Sequence, residues 1–272
     1  ATPGDDPEPC KTRDVEPVTA AVDEQGTCRI VLNRPASLNA LNDDVRRLLH
    51  QQLDAVADDP SVRIVTIEGA GRAFSAGADL RSGRPDDGDW AARRHAAGAW
   101  QRLLDLLESI PQVTVAKLHG HVIGGAVLLA ASCDLRIAAD DALFRIPELA
   151  IGIPLTWSGN PRLAREIGLP LARDLVMTGR EMAADEAKGC GLVQRLVARE
   201  ELDVRHAELI DELLAMPAAP LAMTRAMFAA MSREQLGSTA WADPDLLMWS
   251  GREPESFEAA IAYAERRFGR RS

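Results

Sequence analysis

The chain has 272 residues, of which 46% are hydrophobic and 26% are charged, so it can bury one large core and is neither a disordered chain nor a collagen-like fibre. Its 41 acidic and 31 basic residues give a formal net charge of −10, which disfavours nucleic acid and anionic membranes as partners. The 4 cysteines include no CxxC pair. They are too few for a disulfide framework and badly spaced for zinc, which predicts a reducing, cytoplasmic location and no metal.

The N-terminal segment 1–16 is rich in proline, glycine and aspartate and has no basic start followed by an apolar stretch. It is therefore predicted to be a disordered leader rather than a secretory signal. No apolar run in the sequence reaches the roughly 20 residues that are needed to span a bilayer. Association with a membrane is accordingly not expected.

The first predicted elements are two strands and a helix. Strand-like runs at 17–22 and 27–32 are separated by the turn sequence EQG and predict a β-hairpin. Asn42 precedes a run with apolar residues at helical spacing and two aspartates in its first turn, which predicts an N-capped amphipathic helix. The β-branched run 62–67 predicts a buried strand, and a glycine-rich loop follows it.

The middle of the chain is predicted to alternate helices with strands. These elements are a helix over 90–109, a strand over 113–118, an apolar helix from about Gly125, and short extended segments at 135–138 and 144–146. From about residue 169 the pattern is helical. Strands alternating with helices, followed by a helical last third, predict an α/β fold with a helical tail.

Two glycine-rich segments each follow a predicted strand: 75–79 (SAGAD) and 123–126 (IGGA). Each presents a backbone N–H where no side chain obstructs a ligand. The second segment also lies at a helix N-terminus, where the helix dipole favours negative charge. Two such donors that converge on one oxygen form an oxyanion hole. Taken singly, either segment is more often only a turn.

Other site signatures are incomplete in this sequence. The segment 69–71 lacks the third glycine of a dinucleotide fingerprint, and Ser75 lacks the upstream glycine of a nucleophile elbow. His119 and His121, if they lie on one strand, share a face. Without a third ligand this pair is more typical of a structural role than of a metal site.

Five segments share their order and spacing with one protein family: NRPASLNALN (33–42), FSAGADL (74–80), HVIGGAVLLAASCDLRIA (121–138), FRIPELAIGIP (144–154) and PRLAREIG (161–168). Through them the chain resembles the crotonase family, the enoyl-CoA hydratase/isomerase superfamily. The resemblance extends from about residue 17 to the end of the chain. The set of motifs is specific for the family but not for one reaction.

The resemblance implies an α/β fold with a crotonase-type ββα spiral core over 17–197 and a C-terminal helical trimerisation region over 198–272. It implies a homotrimer or a dimer of trimers, and a role in fatty acid metabolism. It also implies an acyl-CoA substrate, so coenzyme A enters as part of the thioester and no separate cofactor is expected.

By position in the family motifs, Ala78 and Gly125 carry the two N–H groups that polarise the thioester carbonyl and hold the enolate. Preorganised donors of this kind are worth roughly 3–4 kcal/mol each. The resemblance also predicts that Gly124 contacts the substrate. Backbone groups around Leu38 and Ala40 are predicted to meet the adenine end of the coenzyme.

The acid–base residues depart from the family pattern. Glu148 matches one of the two glutamates of the hydratases, whereas the position of the other is Leu128. Dienoyl-CoA isomerases have an aspartate where this chain has Thr156. Glu148 is therefore predicted to be the only general base. It takes a proton from C2 and returns it at C4, while Leu128 helps to keep the pocket dry.

Double-bond isomerisation of an enoyl-CoA is the activity that one carboxylate favours. The alternatives are an enoyl-CoA hydratase despite the missing glutamate, a thioester hydrolase or decarboxylase, and a non-catalytic acyl-CoA-binding subunit. One fold hosts several chemistries, so the fold does not choose between these activities.

Three further residues are candidate substrate contacts. Trp157 replaces a small residue of the hydratases, and it either restricts acyl length and excludes water or packs in the core or a trimer interface. Arg34 and Arg81 are candidate donors to the phosphates of the coenzyme, although surface arginines are usually solvated.

Overall fold

The structure is a computed structural model that describes residues 16–81, 88–236 and 240–268. Apart from Glu16, the predicted leader lies outside the described residues. The strands are β1 (Val18–Val22), β2 (Thr27–Leu32), β3 (Ile64–Gly69), β4 (Val113–Leu118), β5 (His121–Ile123), β6 (Leu135–Ala139), β7 (Leu143–Arg145), β8 (Glu181–Ala183) and β9 (Arg195–Val197).

The helices are α1 (Asp43–Ala57), α2 (Trp90–Ala97), α3 (Ala99–Ser109), α4 (Gly125–Ala131), α5 (Gly159–Ile167), α6 (Leu169–Thr178), α7 (Ala184–Gly189), α8 (Leu202–Leu214), α9 (Ala218–Gln235), α10 (Asp243–Ser250) and α11 (Pro254–Phe268). Short 3₁₀ helices cover Pro35–Ser37, Glu148–Ile151, Arg199–Glu201 and Ala240–Ala242.

The strands form two sheets. The larger sheet has the order β1-β2-β3-β4-β6-β9, and the smaller has the order β5-β7-β8. Strands β1 and β2 are antiparallel, with Val18 opposite Leu32, so the predicted hairpin is confirmed. The other neighbours in the larger sheet are parallel. The mixture of a largely parallel sheet with many helices confirms the predicted α/β class.

The larger sheet buries both of its faces. Alternate residues of β3 point to opposite sides. Val65 and Ile67 join the main core beneath α1 and α3, whereas Ile64 joins a second cluster with Leu209 of α8. Helix α8 is thus an outer layer on the sheet of the same chain.

Helix α1 begins where the sequence predicted it. The Asn42 side-chain oxygen accepts a hydrogen bond from the Val45 N–H at 3.0 Å, which satisfies one of the free donors of the first turn. Val45, Leu49 and Leu53 repeat at helical spacing and are buried against the sheet. The cap and the apolar stripe together fix both the start and the buried face of the helix.

The helix predicted over 90–109 is two helices, so that prediction was wrong in one detail. The chain breaks at Gly98, between α2 and α3. Pro244, at the start of α10, lies close by: a Cβ built on Gly98 would be 3.2 Å from Pro244 Cγ. The break follows from a contact with a distant part of the chain, which the local pattern did not reveal.

His119 and His121 do not share a strand, contrary to the expectation. Strand β4 ends at Leu118, Gly120 has φ +53°, and β5 then begins. His119 is buried and contacts the Gly71 carbonyl oxygen through a ring nitrogen at 3.0 Å, and burial lowers its pKa. Among residues 16–81, 88–236 and 240–268, no group of three or more His, Cys, Asp or Glu side chains could hold a metal ion.

The last two helices fold back onto earlier parts of the chain. Helix α10 packs on α2, where Arg94 pairs with Asp245 at 3.0 Å. Helix α11 packs on the 3₁₀ turn Glu148–Ile151. Within the described ranges, no single helix has the length and hydropathy to cross a membrane, and 199–214 with 218–234 meet that test only as a pair bent by 105°.

Candidate active site

The loop after β3 is fixed by two buried side chains, Asn39 and Ser75. Asn39 has φ 54°, a left-handed conformation that asparagine adopts more readily than most residues. Its side-chain nitrogen donates to the carbonyl oxygens of Ala70 and Ala73, at 2.8 Å each. Ser75 Oγ donates to the Asn39 carbonyl at 2.8 Å and accepts from the Gly77 N–H at 3.1 Å. The loop therefore holds its shape through contacts within the chain.

The two predicted glycine-rich segments lie side by side. Ser75 forms a parallel bridge with Val122, and the Ile123 N–H donates to the Ser75 carbonyl at 3.1 Å. Gly77 has φ +80°, and a Cβ built there would overlap the Ile123 carbonyl oxygen. Only glycine permits this close approach. The sequence identified each segment separately, and the structure brings them together.

Ala78 and Gly125 each present a backbone N–H at this junction. Leu41 and Ala78 form a parallel β-bridge. The Leu41 N–H donates to the Gly77 carbonyl at 2.8 Å, and the Leu41 carbonyl accepts from the Asp79 N–H at 2.9 Å. These two bonds do not use the Ala78 N–H. Gly125 is the first residue of α4, so its N–H has no acceptor within the helix. In the part of the chain that the structure describes, neither N–H has a backbone acceptor.

The carboxyl group of Glu148 lies against Gly124. Gly124 has φ +56°, and a Cβ built on it would be 2.5 Å from Glu148 Oε1. Glu148 Oε2 is buried and has no hydrogen-bond partner among the described residues. Burial raises the pKa of Glu148 from its ordinary 4.5 to about 7, against a smaller lowering by its own backbone N–H. A carboxyl group with this pKa can both accept and release a proton at neutral pH.

The indole of Trp157 lies against Gly125. A Cβ built on Gly125 would overlap the six-membered ring of Trp157. On α3, Trp100 stacks on the same indole, with the ring centroids 4.8 Å apart and an angle of 13° between the planes. Sequence analysis singled out Trp157 but missed Trp100, because the stack joins distant parts of the chain.

The turn that carries Trp157 is held from two sides. Trp157 and Ser158 both have left-handed backbones, with φ 62° and 54°. The fully buried Arg162 donates to the Trp157 carbonyl at 2.6 Å and pairs with Glu108 at 3.1 Å. The Ser158 N–H donates to a carboxylate oxygen of Asp243, on α10, at 2.7 Å. Burial raises the pKa of Asp243.

Leu128 lies one turn along α4 from Gly125 and is 1% exposed. Its side chain packs toward α5, because a Cβ built on Gly159 would be 2.8 Å from Leu128 Cδ1. Thr156 is also buried. The two positions at which the family pattern places a second acid therefore hold an apolar side chain and a hydroxyl.

Arg34 and Arg81 both contact Asp79. The Arg34 guanidinium lies 2.9 Å from the Asp79 carboxylate and donates to the Ala40 carbonyl at 2.5 Å, so it links the two loops. Arg81 is exposed, and its backbone N–H donates to Asp79 at 3.1 Å. Binding of phosphate by either arginine stays a prediction.

The loop with Leu38 and Ala40, which is predicted to contact adenine, makes backbone hydrogen bonds within the chain. Leu38 has φ 52°, and its carbonyl oxygen accepts from the Ala76 N–H at 2.8 Å. The Ala40 N–H donates to the Ser37 carbonyl at 3.2 Å. This loop thus lies beside the glycine-rich segment 75–79, and its contact with adenine stays a prediction.

The chain was compared with known proteins. Residues 23–270 match the model of the enoyl-CoA hydratase/isomerase family. The "Probable enoyl-CoA hydratase echA8" of Mycobacterium tuberculosis (strain CDC 1551 / Oshkosh) is 38% identical over 173 residues, which are 64% of this chain and 66% of that relative. The mitochondrial Delta(3,5)-Delta(2,4)-dienoyl-CoA isomerase of Homo sapiens is 34% identical over 211 residues, which are 74% of this chain and 62% of that relative. The chain therefore spans just under two thirds of each of these two relatives.

A solved structure of an enoyl-CoA hydratase from Mycobacterium avium subsp. paratuberculosis K-10 superposes on the chain with a TM-score of 0.83. It is 26% identical and covers 95% of this chain and 99% of its own. The superposition confirms the predicted crotonase-type fold.

Proposed function

The chain belongs to the enoyl-CoA hydratase/isomerase family, and we propose that it shifts the double bond of an enoyl-CoA thioester. The observation that carries this proposal is the carboxyl group of Glu148, whose Oε2 is buried and whose Oε1 lies against Gly124. The second acid position is the buried Leu128. The site thus supports chemistry that needs one proton carrier and no activated water.

In the proposed reaction the thioester oxygen accepts hydrogen bonds from the N–H groups of Ala78 and Gly125. The Glu148 carboxylate removes a proton from C2, and the electron pair of the C–H bond moves toward the thioester oxygen to give a dienolate. The two N–H groups stabilise the charge that develops there. Glu148 then delivers the same proton to C4, which leaves the double bond between C2 and C3. No other reactant is consumed.

Hydration requires more functional groups in the site than isomerisation does. A water molecule must be oriented toward C3 while a proton is supplied at C2, and two carboxyl groups can divide these tasks. Losing one of them removes a contribution of typically about 10²–10⁴-fold in rate. Leu128 and the ring of Trp157 offer no carboxylate to hold that water. The apolar side chains therefore favour isomerisation over hydration.

The comparisons support acyl-CoA chemistry at a coarser level. The names of the relatives include both an enoyl-CoA hydratase and a dienoyl-CoA isomerase. The choice between the two activities therefore depends on the residues of this chain. The carboxyl group of Glu148, with the buried Leu128 at the position of the second acid, is the feature that favours the isomerase.

Reaction in water enriched in ¹⁸O tests the proposal. We expect 3-enoyl-CoA to become 2-enoyl-CoA without incorporation of the label, because isomerisation moves only a proton. A second reaction starts from 2-enoyl-CoA: a labelled 3-hydroxyacyl product there, together with no conversion of 3-enoyl-CoA, would establish a hydratase instead. Labelled free acid with release of coenzyme A would indicate a thioester hydrolase. Loss of carbon dioxide from a carboxyacyl-CoA would indicate a decarboxylase. Binding of acyl-CoA without turnover of any substrate would leave a non-catalytic subunit.

We also propose that the chain forms a homotrimer through its C-terminal helices. Met223, Met227 and Met231 recur every four residues on α9 and are all exposed, so they form an apolar stripe along one side of the helix. An exposed stripe of this kind is typical of an association surface. Light scattering should show a smaller particle for Met227→Glu. The equally exposed Met177, on α6, serves as the control: Met177→Glu should leave the mass unchanged.

A further inference from the structure

We propose that the stacked pair Trp100 and Trp157 forms a rigid end wall of the acyl site and restricts the substrate to short acyl groups. The inference rests on the proposed function, since it requires the thioester oxygen to bind at the N–H groups of Ala78 and Gly125. It goes beyond that function because it specifies the length of the acyl group.

The first step of the argument is the location of the ring. The six-membered ring of Trp157 occupies the space into which a side chain at Gly125 would extend. A thioester bound at the Gly125 N–H has its C4 atom only three bonds of about 1.5 Å from the thioester carbon. The first carbons of the acyl group are therefore held close to the indole. A longer chain must pass this ring or turn away from it.

The second step is that the ring is not free to move aside. Trp100 stacks on it in a nearly parallel arrangement, with the ring centroids 4.8 Å apart. Aromatic pairs of this kind add about 0.5–1.5 kcal/mol to the burial of the rings. The Trp157 backbone is also fixed, because Arg162 binds its carbonyl and Asp243 binds the next N–H. Displacing the ring would break the stack and strain a turn that is anchored at both ends.

The third step concerns the space behind the wall. Gly159 begins α5 just after the Trp157 turn, and a Cβ built on it would be 2.7 Å from Leu155 Cγ and 2.8 Å from Leu128 Cδ1. Leu155 and Leu128 are both buried. These side chains fill the space beside Gly159, so an acyl chain cannot extend past the turn at that point.

A role in packing alone is the competing explanation for the two tryptophans. In that case their replacement changes the stability of the protein but not the dependence of binding on acyl length. The two explanations therefore predict different ratios between the dissociation constants of a long and a short acyl-CoA. This ratio does not depend on how much of the protein is folded.

The test measures dissociation constants of saturated butanoyl-CoA and octanoyl-CoA by titration calorimetry with the full chain. Saturated thioesters bind without reacting, so the readout does not depend on isomerisation. We expect octanoyl-CoA to bind the unchanged protein at least about tenfold more weakly than butanoyl-CoA, since a poorly fitting methylene costs this much in a closed pocket. Trp157→Gly should reduce the ratio to about twofold or reverse it, because the added methylenes then enter apolar space.

Glycine suits the left-handed backbone at position 157, so this variant should fold. Trp100→Leu provides a second variant that removes the support without touching Gly125, and it should lower the ratio to an intermediate value. Trp157→Phe should preserve most of the discrimination. Trp249→Leu is the control, because Trp249 is 70% exposed on α10.

Two results would overturn the inference alone: equal binding of both thioesters by the unchanged protein, or an unchanged ratio in Trp157→Gly and Trp100→Leu. Failure to bind any acyl-CoA would instead overturn the proposed function, and the inference with it. The two failures are therefore distinguishable within one set of titrations.

Discussion

Glu148 and Gly124 are in direct contact: the carboxyl oxygen Oε1 occupies the position that a side chain on Gly124 would need. Because Gly124 immediately precedes the N–H of Gly125, the acid lies beside one of the two donors proposed to hold the thioester oxygen. Proton removal and charge stabilisation are then assigned to neighbouring groups. Burial of the carboxyl group raises its pKa.

Replacing Glu148 tests its proposed role directly. We expect Glu148→Gln to lower kcat for 3-enoyl-CoA by about 10²–10⁴-fold, because the amide cannot carry the proton. Binding of a saturated acyl-CoA should change little, since the N–H groups of Ala78 and Gly125 remain. Steady-state kinetics and calorimetry on the same preparation separate the two effects. Undiminished turnover would show that Glu148 is not the base.

The raised pKa of Glu148 predicts a pH dependence of activity. The base must be ionised to accept the C2 proton, so kcat/KM should fall about tenfold per pH unit below the pKa of about 7 and level off above it. A pH–rate profile measured with 3-enoyl-CoA checks this limb. A profile that stays flat down to pH 5 would contradict the assignment.

The raised pKa of Glu148 has the opposite effect on stability: as pH rises, activity increases but the protein becomes less stable. Between the ordinary pKa of 4.5 and the folded pKa of about 7, the folded protein retains a proton that the unfolded carboxyl has lost. The contribution of Glu148 to the free energy of unfolding therefore decreases as pH rises through this range, by at most about 3 kcal/mol. Urea unfolding of the unchanged protein and of Glu148→Gln at pH 5 and pH 8 measures it. The difference between the two proteins should shift in favour of the variant at pH 8.

Gly124→Ala should lower the activity about 10²-fold. The added methyl group would meet Oε1 of Glu148 and occupy a backbone with φ +56°, so the acid must move, and a displacement of about 1 Å can cost 10²-fold in rate. Gly189→Ala is the matched control, because no heavy atom lies within 4 Å of a Cβ built at that helical glycine. Kinetics of both variants, with circular dichroism to confirm folding, checks the prediction. Equal activity of the two variants would refute the contact.

The buried guanidinium of Arg162 should be important for stability. Arg162→Met removes the pair with Glu108 and the bond to the Trp157 carbonyl. Breaking a buried ion pair from one side costs about 3–5 kcal/mol when the remaining charge is left unpaired. Because Glu108 keeps a second partner, Arg165, at 3.0 Å, we expect a loss near the lower end of this range. Denaturant unfolding measures the loss. Arg205→Met, which removes exposed ion pairs on α8, should leave the free energy of unfolding almost unchanged.

Local patterns predicted much of the fold. The hairpin, the cap of α1 at Asn42 and the limits of β4 all follow from neighbouring residues, and the structure has them. The glycine-rich segments and Glu148 were identified through motif resemblance. The contact of Glu148 with Gly124 goes beyond any pattern in the sequence, because separate elements of the fold bring the two residues together.

The features that sequence analysis missed depend on distant contacts. Gly98 breaks a helix where Pro244 packs against it, and Trp100 gains its role only by stacking on Trp157. Asn39 could have been suspected as a buried polar anchor, since it lies inside the motif 33–42, but its acceptors belong to the loop after β3. Periodicity and caps describe a segment on its own and contain no information about such partners.

Helix α11 contacts the turn that begins with Glu148, and Asp243, on α10, bonds to the residue after Trp157. The proposed base and the indole are therefore both braced by the last two described helices of the same polypeptide. An affinity tag, a fusion partner or a proteolytic nick at that end would act on the acid and on the indole without touching either.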